Sequence, residues 1–330
     1  MQHINLNPLI SVVTLTFNSE KYIAACIESV QAQTDARVEH IIVDAGSTDR
    51  TIEIVERYIS TQAPAFPIRV ANVGYCSIPE ARVFGVSQAE GDLVAVLDAD
   101  DDWHPEKLAT QARLFVSNPR LVVCGSSIRL QNIDTKTSRI FRFPEKNNEL
   151  LDLLSVGINP FAHSAVMFRR SAYLATGGYS LNLKKAEDFG LWLSLSKVGE
   201  LTGVRRSLTT VTVRGDSHTR AFEFDRFPKY LAMALIAYEL NTKNYSCEFL
   251  TKAIDDFSLE FFDTVLTKSV LFLILRRPLI LLKFSVARMV AGALFMRRKH
   301  IFRAIFSPEI PSSFADFVRL YLSGHYRPSS

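Results

Sequence analysis

Four aspartates fall within five positions at the end of an apolar run, Asp98, Asp100, Asp101 and Asp102 in the stretch VAVLDADDD from Val94 to Asp102. Carboxylates this close repel one another, so the cluster needs a cation or hydrogen-bond donors to neutralise it. Hard divalent ions with oxygen ligands, Mg²⁺ or Mn²⁺, suit it best. An EF-hand is excluded: with Asp98 in the first loop position, Trp103 stands where glycine is required and Ala109 where the bidentate glutamate belongs. The alternative is a solvated cluster capping the next helix. Three further polar groups have similar potential: Thr14 to Asn18, Asp44 to Asp49 and the pair Glu187-Asp188. Asp44 and Asp49 flank a Gly-Ser-Thr turn and also suit capping, and Glu187-Asp188 at a helix start suits the positive end of the helix dipole.

The elements that must carry these groups follow from hydrophobic spacing. Leu9 to Leu15, His40 to Val43, Ile68 to Val73 and Leu93 to Leu97 are apolar and rich in β-branched residues, as strands buried on both faces require. Between them, Glu20 to Gln33 sets Ile23, Cys26, Ile27 and Val30 on one helical stripe, and Asp49 to Ile59 and Ile78 to Gln88 also read as helices. This order predicts an α/β fold with a mostly parallel sheet and right-handed crossovers. Ligands of such sheets bind beyond the carboxyl ends of the strands, where Thr14 to Asn18, Asp44 to Asp49 and Asp98 to Asp102 converge. Pro105 opens a further helix through Lys107 to Val116. Strand-like stretches follow at Leu121 to Leu130, Ala165 to Phe168 and Leu208 to Val213, Gly177-Gly178 marks a turn, and Phe189 to Leu195 is an apolar helix face. Trp192 and Phe189 read as core, not as platforms for a sugar.

The segments PLISVVTLTFNSEKYIAACIESVQAQ, HIIVDAGSTDRT, ARVFGVSQAEGDLVAVLDADD and GGYSLNLKKAEDFGLWL resemble, in order and spacing, the successive motifs of the family 2 glycosyltransferases with the GT-A fold. The likeness runs over roughly residues 8 to 215. It implies a nucleotide-diphospho-sugar transferase fold. It places Thr14, Thr16, Phe17 and Asn18 beside the nucleotide, Asp44 at the base and Arg82 near the nucleotide. It makes Asp98 and Asp100 the ends of the DxD motif, for the ribose and for a metal on the diphosphate, and Asp188, next to Glu187, the base. His218, after the last strand, resembles a histidine close to the metal or diphosphate. His163 suits either the acceptor pocket or a structural hydrogen bond. Asp102 extends the motif and leaves open which of Asp100, Asp101 and Asp102 touches the ion, and Val83 stands where relatives often carry asparagine.

These roles make chemical sense. When a sugar leaves a diphosphate, charge builds on the leaving group; a metal held by Asp100 offsets it as a Lewis acid, and no protonated acid is needed. An inverting displacement then needs one base near the acceptor hydroxyl, worth about 10²- to 10⁴-fold.

The 330 residues are 48% apolar and 22% charged, which excludes a disordered or fibrous chain and suggests two domains. Cys26, Cys76, Cys124 and Cys247 form no CxxC pair, so neither zinc ligation nor a disulfide framework is expected. No leader is evident before Leu9, and a reducing cytosol is the expected compartment. The net charge of +4 hides a segregation: Thr264 to Pro308 holds nine Lys or Arg and no acid. As a membrane span, Pro278 to Met296 would lose about 5 to 7 kcal/mol on Lys283 and Arg288 and regain about 3 to 5. A basic amphipathic segment lying on an anionic membrane is favoured instead, with an ordinary helical subdomain as the alternative. Nucleic acid is not an expected partner, because the cations alternate with long aliphatics and not with stacking aromatics.

The expected organisation is a catalytic domain over 1–218 and a helical region over 219–330 with the basic segment 264–308. The expected activity is inverting, metal-dependent, non-processive transfer of a sugar from a nucleotide-diphosphate donor to a saccharide or lipid-linked acceptor, in surface polysaccharide synthesis at the inner face of the cytoplasmic membrane. Processive synthesis is disfavoured for want of a QxxRW signature. A nucleotide-sugar-binding protein without turnover is the non-enzymatic rival. A sugar-nucleotide pyrophosphorylase would need a glycine-rich first loop that SVVTLTFNSE lacks, and an oxidoreductase would need GxGxxG.

Overall fold

Strand β1 (Leu9–Thr16) is buried along almost its whole length, because a parallel strand at the centre of a sheet is covered on both faces. It is followed by α1 (Ile23–Gln31), β2 (Arg37–Asp44), α2 (Thr51–Thr61), β3 (Ile68–Asn72), α3 (Ile78–Ser87) and β4 (Leu93–Asp98). A computed structural model describes residues 7–155, 159–181, 183 and 186–214. His218, the 219–330 region and its basic segment 264–308 lie outside the described residues. Among the described residues no helix is long and apolar enough to cross a membrane.

The helices form as their stripes predict. Ile23, Cys26, Ile27 and Val30 of α1 are all buried. Helix α3 opens with a capping box between Ser77 and Glu80 and a proline in its first turn. It packs closely on the sheet at Gly85, where a Cβ would lie 2.5 Å from Val13 Cγ1 and 3.0 Å from Val43 Cγ2.

The parallel strands lie in the order β3-β2-β1-β4. The chain reverses its direction of travel across the sheet between β1 and β4, the switch point at which such sheets open a ligand crevice. Register sets the rim of that crevice. Thr16 pairs with Asp44, Asp44 with Asn72, and Leu15 with Asp98, so the three polar clusters of the sequence stand side by side.

Beyond β4 come β5 (Asp102–Trp103), α4 (Lys107–Ser117), β6 (Leu121–Asn132), β7 (Thr137–Phe141), α5 (Asn147–Ser155), a 3-10 turn at His163–Ala165, β8 (Met167–Arg169), α6 (Arg170–Ala175), α7 (Glu187–Leu195) and β9 (Glu200–Val213). Strand β8 pairs antiparallel with β4 and β6, while β6 and β9 form a long parallel pair. Strands β5, β7 and β8 thus oppose the other six, and the sheet is mostly parallel. The sequence pattern shows neither β5, which is two residues long, nor β7, which is exposed almost throughout and lacks a buried face to impose alternation. Strand β9 is longer than its apolar stretch, since Arg205 and Arg206 interrupt the pattern without ending the ladder. Its far end returns to the aspartate loop, with Asp102 opposite Thr210 and Trp103 opposite Thr209. Phe189 and Trp192 are fully buried, as core residues should be.

Candidate active site

The aspartates do not share one environment. Asp98 ends β4, and its backbone N–H donates to Ser164 Oγ at 3.1 Å. Asp101 turns inward: Oδ2 accepts from Ser164 Oγ at 2.5 Å and Oδ1 from the backbone N–H of Thr212 at 2.9 Å. Its carboxyl is pushed well above the usual range by burial and by the charges of Asp100 and Asp98. Asp102 belongs to β5, and burial raises it as well, against a hydrogen bond with Thr210. Asp100 Oδ2 accepts from Arg214 Nη2 at 3.1 Å, and that guanidinium lies over the Tyr22 ring, 4.1 Å from its centre. Of the three aspartates between which the sequence does not decide, Asp101 is committed to the protein interior and Asp100 stays at the rim.

Ser164 is the peg of this loop. Beyond its two hydroxyl contacts, its carbonyl accepts from Trp103 Nε1 at 2.7 Å. The 3-10 turn therefore fixes the loop at 98, 101 and 103 together.

On the other side of Asp98 stands Arg82 of α3, which is only 8% exposed. Its Nη2 donates to Asp98 Oδ1 at 3.2 Å, and its Nε lies 3.4 Å from Glu187 Oε1. Its Nη1 bonds to His163 Nδ1, whose Nε2 lies 2.8 Å from the Tyr179 hydroxyl. Burial acts to lower the guanidinium pKa, but Asp98 and Glu187 outweigh it and hold the charge firmly. In turn, burial acts to raise Asp98, but Arg82 and His163 draw it well below the ordinary carboxylate range.

Asp188 sits in the first turn of α7, after Ala186 in a left-handed conformation at φ 62°. Oδ1 accepts from the Phe189 backbone N–H at 2.8 Å and Oδ2 from Asn159 Nδ2 at 2.7 Å. Both bonds hold the carboxylate in one orientation at the dipole's positive end.

The loop after β1 is stitched to the loop after β2. Thr14 Oγ1 pairs with His40 Nε2 at 2.9 Å in the core, where burial pushes the imidazole down to about 3. The Thr16 hydroxyl is buried, with no hydrogen-bond partner among the described residues. Asn18, left-handed at φ 48°, accepts from the Thr48 N–H at 2.8 Å and donates its own N–H to Ser47 Oγ at 2.9 Å. Asp44 is buried, and its carboxylate accepts from the N–H groups of Gly46 and Ser47 at 3.1 and 3.0 Å, so it organises its own turn. Asp49 accepts from Thr51 and Glu20, the capping role open to it from sequence. Gly46 is at φ 84°, and a Cβ there would meet Tyr75 N at 2.9 Å. That close approach brings Tyr75, 89% exposed, into edge contact with Phe17, 46% exposed, at 6.1 Å.

The structure thus joins Asp98, Arg82 and Glu187 directly, and aligns Thr16 and Asp44 with them through sheet register. Asp100 and Asp188 sit in separate hydrogen-bonded settings, with Arg214 and Asn159 respectively. Ser164, Arg214, Tyr179 and Asn159 are contributors that sequence reasoning did not select. Only Arg214 carried a signal, as the cation directly after the last strand. His163 takes the structural hydrogen bond of its two expected roles. Two carboxylates at the sheet rim, a second pair on a helix start and a guanidinium between Asp98 and Glu187 suit an anionic ligand.

The family model described as Glycosyl transferase family 2 matches residues 11–176. The hyaluronan synthase of Pasteurella multocida is 27% identical over 216 residues, 65% of this chain and 21% of the relative. The chain thus spans about a fifth of the length of that protein and of the Pasteurella multocida chondroitin synthase, of which 22% is covered. The amylovoran biosynthesis glycosyltransferase AmsE of Erwinia amylovora is 27% identical over 194 residues, 58% of this chain and 71% of that one. Among solved structures, S. aureus TarS 1-349 in complex with UDP-GlcNAc superposes with a TM-score of 0.56 at 22% identity, over 78% of this chain and 73% of the other. The mannosyltransferase PcManGT from Pyrobaculum calidifontis, in complex with GDP-Man and Mn²⁺, gives 0.55 at 17% identity, over 90% and 89%. At these identities the likeness establishes a common fold.

Proposed function

The chain belongs to glycosyl transferase family 2 and is a glycosyltransferase; we propose that it moves one sugar at a time, with inversion, from a nucleotide-diphosphate donor to a saccharide or lipid-linked acceptor in surface polysaccharide synthesis. The observation that carries this reading is the alignment of Thr16, Asp44 and Asp98 at the switch point, with Arg82 linking Asp98 to the helix that bears Asp188. The polysaccharide setting is supported by the relatives named for hyaluronan and amylovoran, and the donor class by the UDP-GlcNAc and GDP-Man complexes of the structural neighbours.

The donor set fits Mg²⁺ or Mn²⁺. Such ions bind through one or two carboxylates and the substrate's phosphates, and Asp100 offers a hard oxygen ligand at the rim, whereas Asp101 is withheld. Among the described residues there is no group of three or more His, Cys, Asp or Glu that could hold a metal ion. Bound at Asp100, the ion supplies Lewis-acid relief of charge on the leaving group.

In the proposed displacement, the acceptor hydroxyl oxygen bonds to the anomeric carbon as the bond from that carbon to the diphosphate oxygen breaks. The hydroxyl proton passes to Asp188, and the nucleoside diphosphate leaves with the bonding electron pair. Asn159 and the Phe189 N–H keep the Asp188 carboxylate aimed throughout. Attachment to the anionic inner leaflet through residues 264–308 completes the proposal, and it would bring a lipid-linked acceptor to the rim. The test is release of nucleoside diphosphate from a panel of nucleotide sugars with Mn²⁺ and candidate acceptors. Asp100→Ala and Asp188→Asn should each abolish it, and full activity in both variants would refute the assignments.

A further inference from the structure

We propose that Arg82 is a positioning residue that clamps the aspartate loop to the start of α7, with the His163 ring packed against its guanidinium. Arg82 Nη1 lies against both ring nitrogens of His163, in contact with Nδ1 and 3.2 Å from Nε2. His163 Nε2 also lies 2.8 Å from the Tyr179 hydroxyl. Tyr179 is itself buried, and the ring of Trp192, on α7, lies 6.0 Å from the His163 ring. The imidazole is therefore walled in, and the guanidinium it holds has one direction left to face.

In that direction lie two carboxylates from distant parts of the chain. Asp98 receives Nη2 at 3.2 Å, and Glu187 stands 3.4 Å from Nε. One edge of the fork donates a hydrogen bond to Asp98, while Nε faces Glu187 as an ion pair without a hydrogen-bond partner among the described residues, and the side chain is 8% exposed. Removing it leaves the half-buried Asp98 and the more buried Glu187 without the cation between them, which pushes the loop and the helix apart. Since Glu187 adjoins Asp188, the clamp sets how far the base stands from the donor-side aspartates. That catalytic consequence rests on the function proposed above; the clamp itself does not.

Hydrogen–deuterium exchange on the full chain tests the clamp without any substrate. In Arg82→Gln, amides at 98–103 and 187–190 should exchange at least tenfold faster, while those of β1 and β2 stay unchanged. Arg82→Lys, whose ammonium reaches one carboxylate but not both, should loosen one of the two segments and covers the case in which the glutamine variant does not fold. Unchanged exchange at 187–190 in both variants overturns the proposal. Calorimetric titration with UDP or GDP plus Mn²⁺ separates this role from nucleotide contact: in Arg82→Lys any loss of affinity should come with faster exchange at 187–190. A tenfold or greater loss without faster exchange at 187–190 would make Arg82 a ligand contact instead. Failure of the wild type to bind either nucleotide would count against the proposed function and leave the exchange result standing.

Discussion

The Ser164 hydroxyl and the Asp101 carboxylate meet at 2.5 Å beneath the loop that bears Asp98 and Asp100. This contact turns one acid of a crowded cluster into a structural post and leaves its neighbours at the rim. Ser164→Ala removes the donor from a buried carboxylate and the acceptor from the Asp98 N–H. The cost should be about 1 to 3 kcal/mol in denaturant melts, with weaker Mn²⁺ binding in a calorimetric titration. Unaltered stability together with unaltered Mn²⁺ binding would show that the loop holds its shape without the peg.

Asp100 and Asp101 are adjacent but should respond oppositely to amidation. Asp100→Asn withdraws a rim ligand, and turnover should fall by roughly 10²-fold or more. Asp101→Asn relieves a carboxylate whose burial and acidic neighbours disfavour its charge. It should leave turnover within about tenfold and, at pH 8, should not lower the melting temperature. Steady-state rates and thermal melts of the two variants decide; similar behaviour in both would contradict the division of labour.

His40 makes stability depend on pH. Folded, it stays neutral down to about pH 3; unfolded, it binds a proton below about 6.5. Between those values the unfolded state binds more protons, so this stabilisation is complete above pH 6.5 and is lost as pH falls towards 3. From pH 7 to pH 5 the loss should be about 2 kcal/mol, and His40→Gln should lack it. Urea melts of both proteins across that range give the difference, and parallel curves would exclude His40 as the source.

Gly85→Ala places a methyl group where Val13 and Val43 already stand. Overpacking between α3 and the sheet should cost about 1 to 3 kcal/mol and tilt the helix that carries Arg82. A denaturant midpoint equal to that of the wild type would mean that α3 can retreat freely.

Residues 264–308 provide the remaining test, of the proposed peripheral attachment. The wild type should float with vesicles rich in anionic phospholipid and a 264–308 deletion should not, with binding weakened by salt. Equal recovery of both proteins in the soluble fraction would remove the membrane from the proposal.

The parallel half of the sheet is legible in the sequence because it is governed by local pattern. β-Branched apolar runs and the stripe through Ile23, Cys26, Ile27 and Val30 each point to one element and one buried face. The rim residues are legible for the same reason, since strand ends locate them. What escaped is fixed by tertiary contact alone. Ser164 and Asn159 lie in an irregular stretch, and their importance comes from partners many residues away. The two-residue β5 exists only because β9 is there to pair with it. Asp101 and Asp100 are chemically identical in the sequence, and only the turn at Asp98 to Asp101 sends one of them inward.

The pairing of Thr16 with Asp44 and of Leu15 with Asp98 works as a ruler cut into the backbone. The spacing of these groups depends on main-chain hydrogen bonds, to which side-chain identity matters little. Outer helices and far-side loops are consequently free to drift over long divergence, whereas sliding β1 by a single residue would turn its threonines over and misalign every mark at once. That freedom is one reason a chain only 17% identical to PcManGT can share its fold.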